Sequence, residues 1–103
     1  AGYELDRADV RLGSPQNVRV LAQSEQHPDH FVLVPEELLT HLTTLPLQPI
    51  DDLIRADMIY FDVPGGGKVF SVGSITFCGS LPWNDGDNNV SRLVENVLSR
   101  FLE

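Results

Sequence analysis

The residues most able to do chemistry stand near the amino end, where Tyr3-Glu4-Leu5-Asp6-Arg7 sets two carboxylates and a guanidinium in one short stretch. A glutamate with a raised pKa, beside a partner oriented by an arginine, can take a proton from an attacking group and return it to a leaving group. The same three residues at a surface form an ordinary ion-pair cluster, and spacing alone favours that reading. Glu4 is the catalytic candidate that the residues put forward.

The other reactive side chains lack the spacing their chemistry needs. His27, His30 and His41, with Asp29, Glu36 and Glu37, supply ligand types for zinc or iron, but His27-x-x-His30 straddles Pro28 and fits no metal motif, so structural or solvent-facing histidines are expected. Gly65-Gly66-Gly67-Lys68 suggests a phosphate loop; Lys68, however, opens a β-branched run where a P-loop lysine opens a helix. Gly73-Ser74-Ile75-Thr76-Phe77 lacks the second glycine of a serine-hydrolase elbow. Cys78 sits among apolar residues without a fixed histidine partner, as an inert buried thiol would. The run from Asn84 to Asn89 is rich in oxygen donors, yet Asn96 occupies the twelfth position counted from Asp85, where an EF-hand needs glutamate. Helix capping and loop hydrogen bonding explain that run better.

These residues must be carried by a framework that the hydrophobic pattern outlines. Residues 1–16 read mostly as loop, ending in the turn signal Gly13-Ser14-Pro15. Strands are expected at 18–22, 31–34 and 58–63, the last closed by Pro64 and the three glycines, after which 68–72 returns as the second arm of a hairpin. A further short extended piece is expected at 75–78. Pro35 followed by Glu36 and Glu37 has the composition of a helix first turn, giving a helix over 35–43 that Pro46 and Pro49 prevent from continuing. A helical turn at 50–55 follows. From Asp87 the period changes: Val90, Leu93, Val94, Val97, Leu98, Phe101 and Leu102 recur at spacings of three and four behind the capping types Asp87, Asn88 and Asn89. The whole reads as α/β, a mixed sheet with a β-hairpin and a C-terminal amphipathic helix.

Composition limits the partners. Seven Lys and Arg against fifteen Asp and Glu give a net charge of −8, and the basic residues are scattered, so nucleic acid is excluded as a partner. No apolar run approaches the ~20 residues that cross a bilayer, no signal peptide is evident, and the single Cys78 agrees with a reducing compartment, so a cytoplasmic protein away from membranes is expected. At 103 residues the chain is one unit with room for a real core and little room for a spacious cleft. The beginning, Ala1-Gly2-Tyr3 with no initiator Met, suggests a piece cut from a longer polypeptide.

Several segments together resemble the carboxy-terminal end of the N,N-dimethylformamidase large (beta) subunit family. They are Gly2-Tyr3-Glu4-Leu5-Asp6-Arg7, Ala56-Asp57-Met58-Ile59-Tyr60-Phe61, the stretch from Gly65 to Ile75, Cys78-Gly79-Ser80-Leu81, and Asp87-Asn88-Asn89-Val90-Ser91-Arg92. The resemblance implies a large amidohydrolase with a glutamine-amidotransferase-like α/β domain, of which residues 1–103 would be the carboxy-terminal part. It implies a mononuclear iron held by tyrosine and glutamate ligands, at which water attacks the carbonyl of a small formamide to give formate and an amine. Those ligands are expected upstream of this chain, so no metal ligand is assigned within it. A glutamate beside the iron centre, near the start of the family's carboxy-terminal portion, is matched by Glu4, which strengthens its proton-shuttle role. The implied partners are the upstream remainder of the parent chain and a small amide substrate, with an oligomer as the full-length form. Phe77 and Pro82-Trp83-Asn84 depart from the family's tryptophan and His-Asn loop and bear on substrate choice. The rival reading is a non-catalytic interaction or assembly module that packs the apolar helix face at Val90, Val94 and Phe101 on a partner.

Overall fold

The computed structural model describes residues 2–44 and 49–103. Three strands, β1 (Arg19–Ser24), β2 (Ala56–Val63) and β3 (Gly67–Ser71), form a sheet in the order β1-β2-β3, and two helices flank it, α1 (Pro35–Thr44) and α2 (Asn89–Phe101). Both strand pairs are antiparallel. The α/β class stands, but the sheet among the described residues is antiparallel and not mixed.

The cause lies in residues 31–34, where a strand was expected and none forms. The Phe31 amide donates to the Pro28 carbonyl in a turn (3.0 Å), and the Phe31 ring stacks between His27 and His30 at centroid distances of 5.0 and 4.6 Å. Val34 is already committed to α1, because its carbonyl accepts from both Glu37 and Leu38. A run this short, with proline on both sides, has no free amide ladder to offer a sheet.

The hairpin forms as the glycines demand. Gly65 and Gly66 take φ of 97° and 98°, the Gly66 amide donates to Val63, and β2 and β3 pair from Ile59↔Ser71 to Val63↔Gly67. Between Val20 and Ala22 the β1 register slips, making Leu21 a bulge at the sheet's edge. Residues 75–78, expected to be extended, belong to a 3-10 helix, Ile75–Ser80, which brings Phe77 edge-on to Phe70 at 6.4 Å. There Cys78 is exposed, not buried. The expected turn at 50–55 is a 3-10 helix over Ile50–Leu53, and most of the connector at 45–49 lies outside the described residues.

Helix α2 starts where its cap dictates. The Asn88 side chain accepts from the Ser91 amide (2.9 Å) while its own amide donates to the carbonyls of Leu81 and Trp83, so one residue caps the helix and fixes the preceding loop. Val97 is buried, and Phe101 meets Tyr60 at 6.2 Å, placing α2 over the sheet face that carries Tyr60. The remaining stripe is only partly covered: Leu98, Phe101 and Leu102 are exposed. Helix α1 is inverted relative to an ordinary surface helix. His41 is buried and Glu37 half-buried, while Leu38, Leu39 and Leu42 face out.

The result is a slab, 41 × 36 × 17 Å. Its accessible surface of 7262 Å² exceeds by roughly a quarter what a closed monomer of this mass presents, about 5,800 Å². Only Leu53, Ala56, Tyr60 and Val97 form the buried apolar set among the described residues. No helix among them is long and apolar enough to cross a membrane.

One glycine ties the sheet to the amino-terminal segment. Gly73 has φ of +70°, and a Cβ there would lie 2.5 Å from the Asp57 carbonyl oxygen and 2.8 Å from that of Asp6. Gly73→Ala should lower stability by about 2–4 kcal/mol, from left-handed strain plus backbone collision. Gly65→Ala, also at positive φ but with nothing within 4 Å, should lose only about 1–2 kcal/mol. Urea midpoints of the two variants against the parent check the ranking.

Candidate functional site

The amino-terminal segment is stapled along the end of the sheet by contacts on both sides of Glu4. On one side, the Ser74 hydroxyl accepts from the Gly2 amide (3.0 Å) and donates to the Gly2 carbonyl (2.8 Å), with Thr76 Oγ1 3.3 Å away. On the other, the Asp6 amide donates to the Gly73 carbonyl (2.8 Å) and the Asp6 carbonyl accepts from the Asp57 amide (2.9 Å). Leu5 bridges Ser74 in antiparallel fashion between them. Tyr3-Glu4 is therefore the apex of a turn whose two feet are fixed. Glu4 is exposed and, among the described residues, makes no hydrogen bond or ion pair.

The expected cluster of Glu4, Asp6 and Arg7 is not brought together. Arg7 turns inward, its side chain 6% exposed, and pairs with Glu37 of α1, with Asp9 at 3.7 Å and with the Leu53 carbonyl at 3.1 Å. Its Nε is buried without a hydrogen-bond partner among the described residues, as is Nδ1 of His41. Glu37 and His41, one turn apart, share the inward face of α1. The surface ion-pair reading of this segment thus fails for Arg7, which serves to hold α1 against the amino-terminal segment.

Two buried acids that the pattern did not single out organise the rest. Asp57, 2% exposed, accepts from the Ala8 amide (2.9 Å), from Gln23 Nε2 of β1 (3.1 Å) and from Arg55 Nε (3.2 Å), while Arg55 also donates to the Ala8 carbonyl (2.9 Å). Asp9 takes a two-pronged grip from Arg11, at 2.9 and 2.8 Å, and its amide donates to Ser14. The only hint of Asp57 in the sequence is an acid standing next to an otherwise apolar strand run. The partners of Arg7 and Ser74 lie 30 and 72 positions away, beyond the reach of any local pattern.

The remaining candidates hold structural places. His27 Nε2 lies 3.1 Å from both the hydroxyl and the carbonyl of Ser24. His30 stacks on Phe31. An open groove of about 700 Å³ lies beside His27, Phe31, Leu38, Asp51 and Arg55. Among the described residues no group of three or more His, Cys, Asp or Glu side chains is placed to hold a metal ion. By themselves the described residues assemble no metal centre.

A hairpin, a capped helix and an acid-bolted amino-terminal segment, open over much of their surface, define a component of an α/β protein. The chain belongs to the N,N-dimethylformamidase beta subunit-like, C-terminal family, whose model matches residues 1–90. It is 41% identical over 106 aligned residues to the N,N-dimethylformamidase beta subunit of Paracoccus aminophilus and 40% identical to that of an Alcaligenes species. Both matches cover 99% of the chain and 13% of the relative, so the chain spans about an eighth of the length of these curated relatives.

Two outcomes follow from the buried acids. Asp57→Ala leaves the Arg55 guanidinium, the Gln23 amide and the Ala8 N–H without their shared acceptor and should destabilise by about 3–5 kcal/mol, read from chemical denaturation. The Asp9 carboxyl is held below its ordinary value of 3.8, first by its hydrogen bonds from the Arg11 side chain, with desolvation opposing them. A depressed folded-state value contributes stability that is present above the unfolded value and is lost as pH falls through the folded one. Stability should therefore fall as pH drops below 3.8, and Asp9→Asn should flatten that fall in denaturation curves taken at successive pH values.

Proposed function

We propose that the chain is the carboxy-terminal part of an amidohydrolase that cleaves the C–N amide bond of small formamides, releasing formate and an amine. The observation that carries this reading is the 41% identity to a dimethylformamidase beta subunit across 99% of the chain. In this reading residues 1–103 complete a larger, glutamine-amidotransferase-like α/β domain. Three structural features support it: the excess exposed surface, the outward leucines of α1 and the half-covered stripe of α2, each an apolar area left for further protein to cover. A subunit assembly in the full-length protein belongs to the same reading.

Glu4 is the proton-transferring group we assign. Amide hydrolysis needs a proton removed from the attacking water and one delivered to the departing nitrogen, and a carboxylate at fixed height above a rigid support can do both. The fixed feet at Gly2 and Asp6 supply the rigidity, and the lack of an internal partner leaves the carboxylate available. Iron, which the family resemblance implies, would be held by residues outside 1–103, and no step is assigned to it here.

In the full-length polypeptide, Glu4→Gln should lower kcat for N,N-dimethylformamide by about 10²–10⁴-fold while shifting the thermal midpoint little, since the side chain makes no hydrogen bond or ion pair among the described residues. Turnover equal to the parent's removes Glu4 from the mechanism.

A further inference from the structure

We infer that Ser74 is a positioning residue for Glu4: its buried hydroxyl clamps the Tyr3-Glu4 turn in a strained shape. This inference rests on the proton-transfer reading of Glu4. Tyr3 has φ of 63°, left-handed backbone that a bulky residue leaves readily unless its neighbours over-determine it. The foot after Glu4 is determined by backbone bonds, Asp6 to Gly73 and Asp57 to Asp6. The foot before Tyr3 depends on one side chain. Ser74 Oγ, in a residue only 8% exposed, engages both the amide and the carbonyl of Gly2, satisfying that residue's backbone through a single atom. Gly2 itself is seated closely, since a Cβ there would lie 3.2 Å from Thr76 Cγ2. Without the hydroxyl the Gly2 peptide groups lose their partner, Tyr3 is free to relax toward extended backbone, and the Glu4 carboxylate loses its fixed position.

A positional loss differs from a folding loss in three ways that kinetics can read. In the full-length polypeptide assayed with N,N-dimethylformamide, Ser74→Ala should lower kcat by about tenfold to a hundredfold, the scale of an ångström's misplacement, with KM changed little. Ser74→Cys, close in size but with a thiol too weak to hold both bonds, should reproduce that loss with an unaltered melting curve. Ser74→Thr, which keeps the hydroxyl, should retain most of the parent's kcat. In a Glu4→Gln background, Ser74→Ala should add almost nothing, because both changes remove the same contribution. If Glu4→Gln is impaired but Ser74→Ala and Ser74→Cys keep the parent's kcat, or if Ser74→Ala is as damaging in the Glu4→Gln background as in the parent, the clamp is wrong while the role of Glu4 survives. If Glu4→Gln turns over at the parent's rate, the role of Glu4 fails and the clamp's catalytic meaning with it.

Discussion

Much of the amino-terminal side of this fold hangs on the Asp57 carboxylate. A carboxylate at 2% exposure is costly unless nearly all its lone pairs are used, and here they are used by groups from different parts of the chain: the Ala8 amide, the β1 side chain of Gln23 and the guanidinium of Arg55. Its own backbone amide takes the Asp6 carbonyl. One residue thus joins the central strand, an edge strand and the amino-terminal segment. Arg55 doubles the tie by donating to the Ala8 carbonyl. A segment with so little apolar burial has no hydrophobic reason to lie along a sheet; polar geometry holds it there, and such geometry tolerates little displacement.

That arrangement explains why the molecule is flat. With polar bolts fixing residues 2–9 and α1 turning Glu37 toward Arg7 and burying His41, the apolar side chains of α1 are left on the outside. Helix α2 covers part of the Tyr60 face through Val97 and Phe101, and the 3-10 helix bearing Phe77 covers another part. The opposite sheet face, with Ile59 and Phe61 beside Val20 and Val69, is at best half-buried. An unfinished core on both sides of a three-stranded sheet is the expected condition of a unit that spans an eighth of its relatives' length.

The hairpin and both helices were legible because each rests on local chemistry: glycines that tolerate positive φ, a proline with two acids at a helix start, an asparagine cap before a 3.6-residue stripe. The apolar run at 31–34 misled because a short run has no period to distinguish a strand from a loop whose rings pack on neighbouring histidines. Losing it removed the strand that would have called for a parallel partner, and with it the mixed sheet. Cys78 was misjudged for a related reason: apolar neighbours in sequence do not bury a residue that a 3-10 turn rotates outward. Of the proposed site, only the exposed Glu4 stands out in the sequence. What fixes Glu4 is a set of pairings across tens of residues, and single-chain spacing carries no trace of them.

In the proposed reading, exposure and fixation combine at Glu4 because the rest of the protein supplies the wall it faces. A surface loop whose only task is to solvate its charges gains nothing from a strained Tyr3, a close-seated Gly2, a buried serine bonded to both the amide and the carbonyl of that Gly2, and a glycine at 73 that admits no side chain. Such over-determination is stored where a side chain must meet something at a set distance. Within residues 2–44 and 49–103 Glu4 makes no hydrogen bond or ion pair. In the proposed reading, the turn presents its carboxylate across a boundary, toward a surface that the rest of the protein would provide.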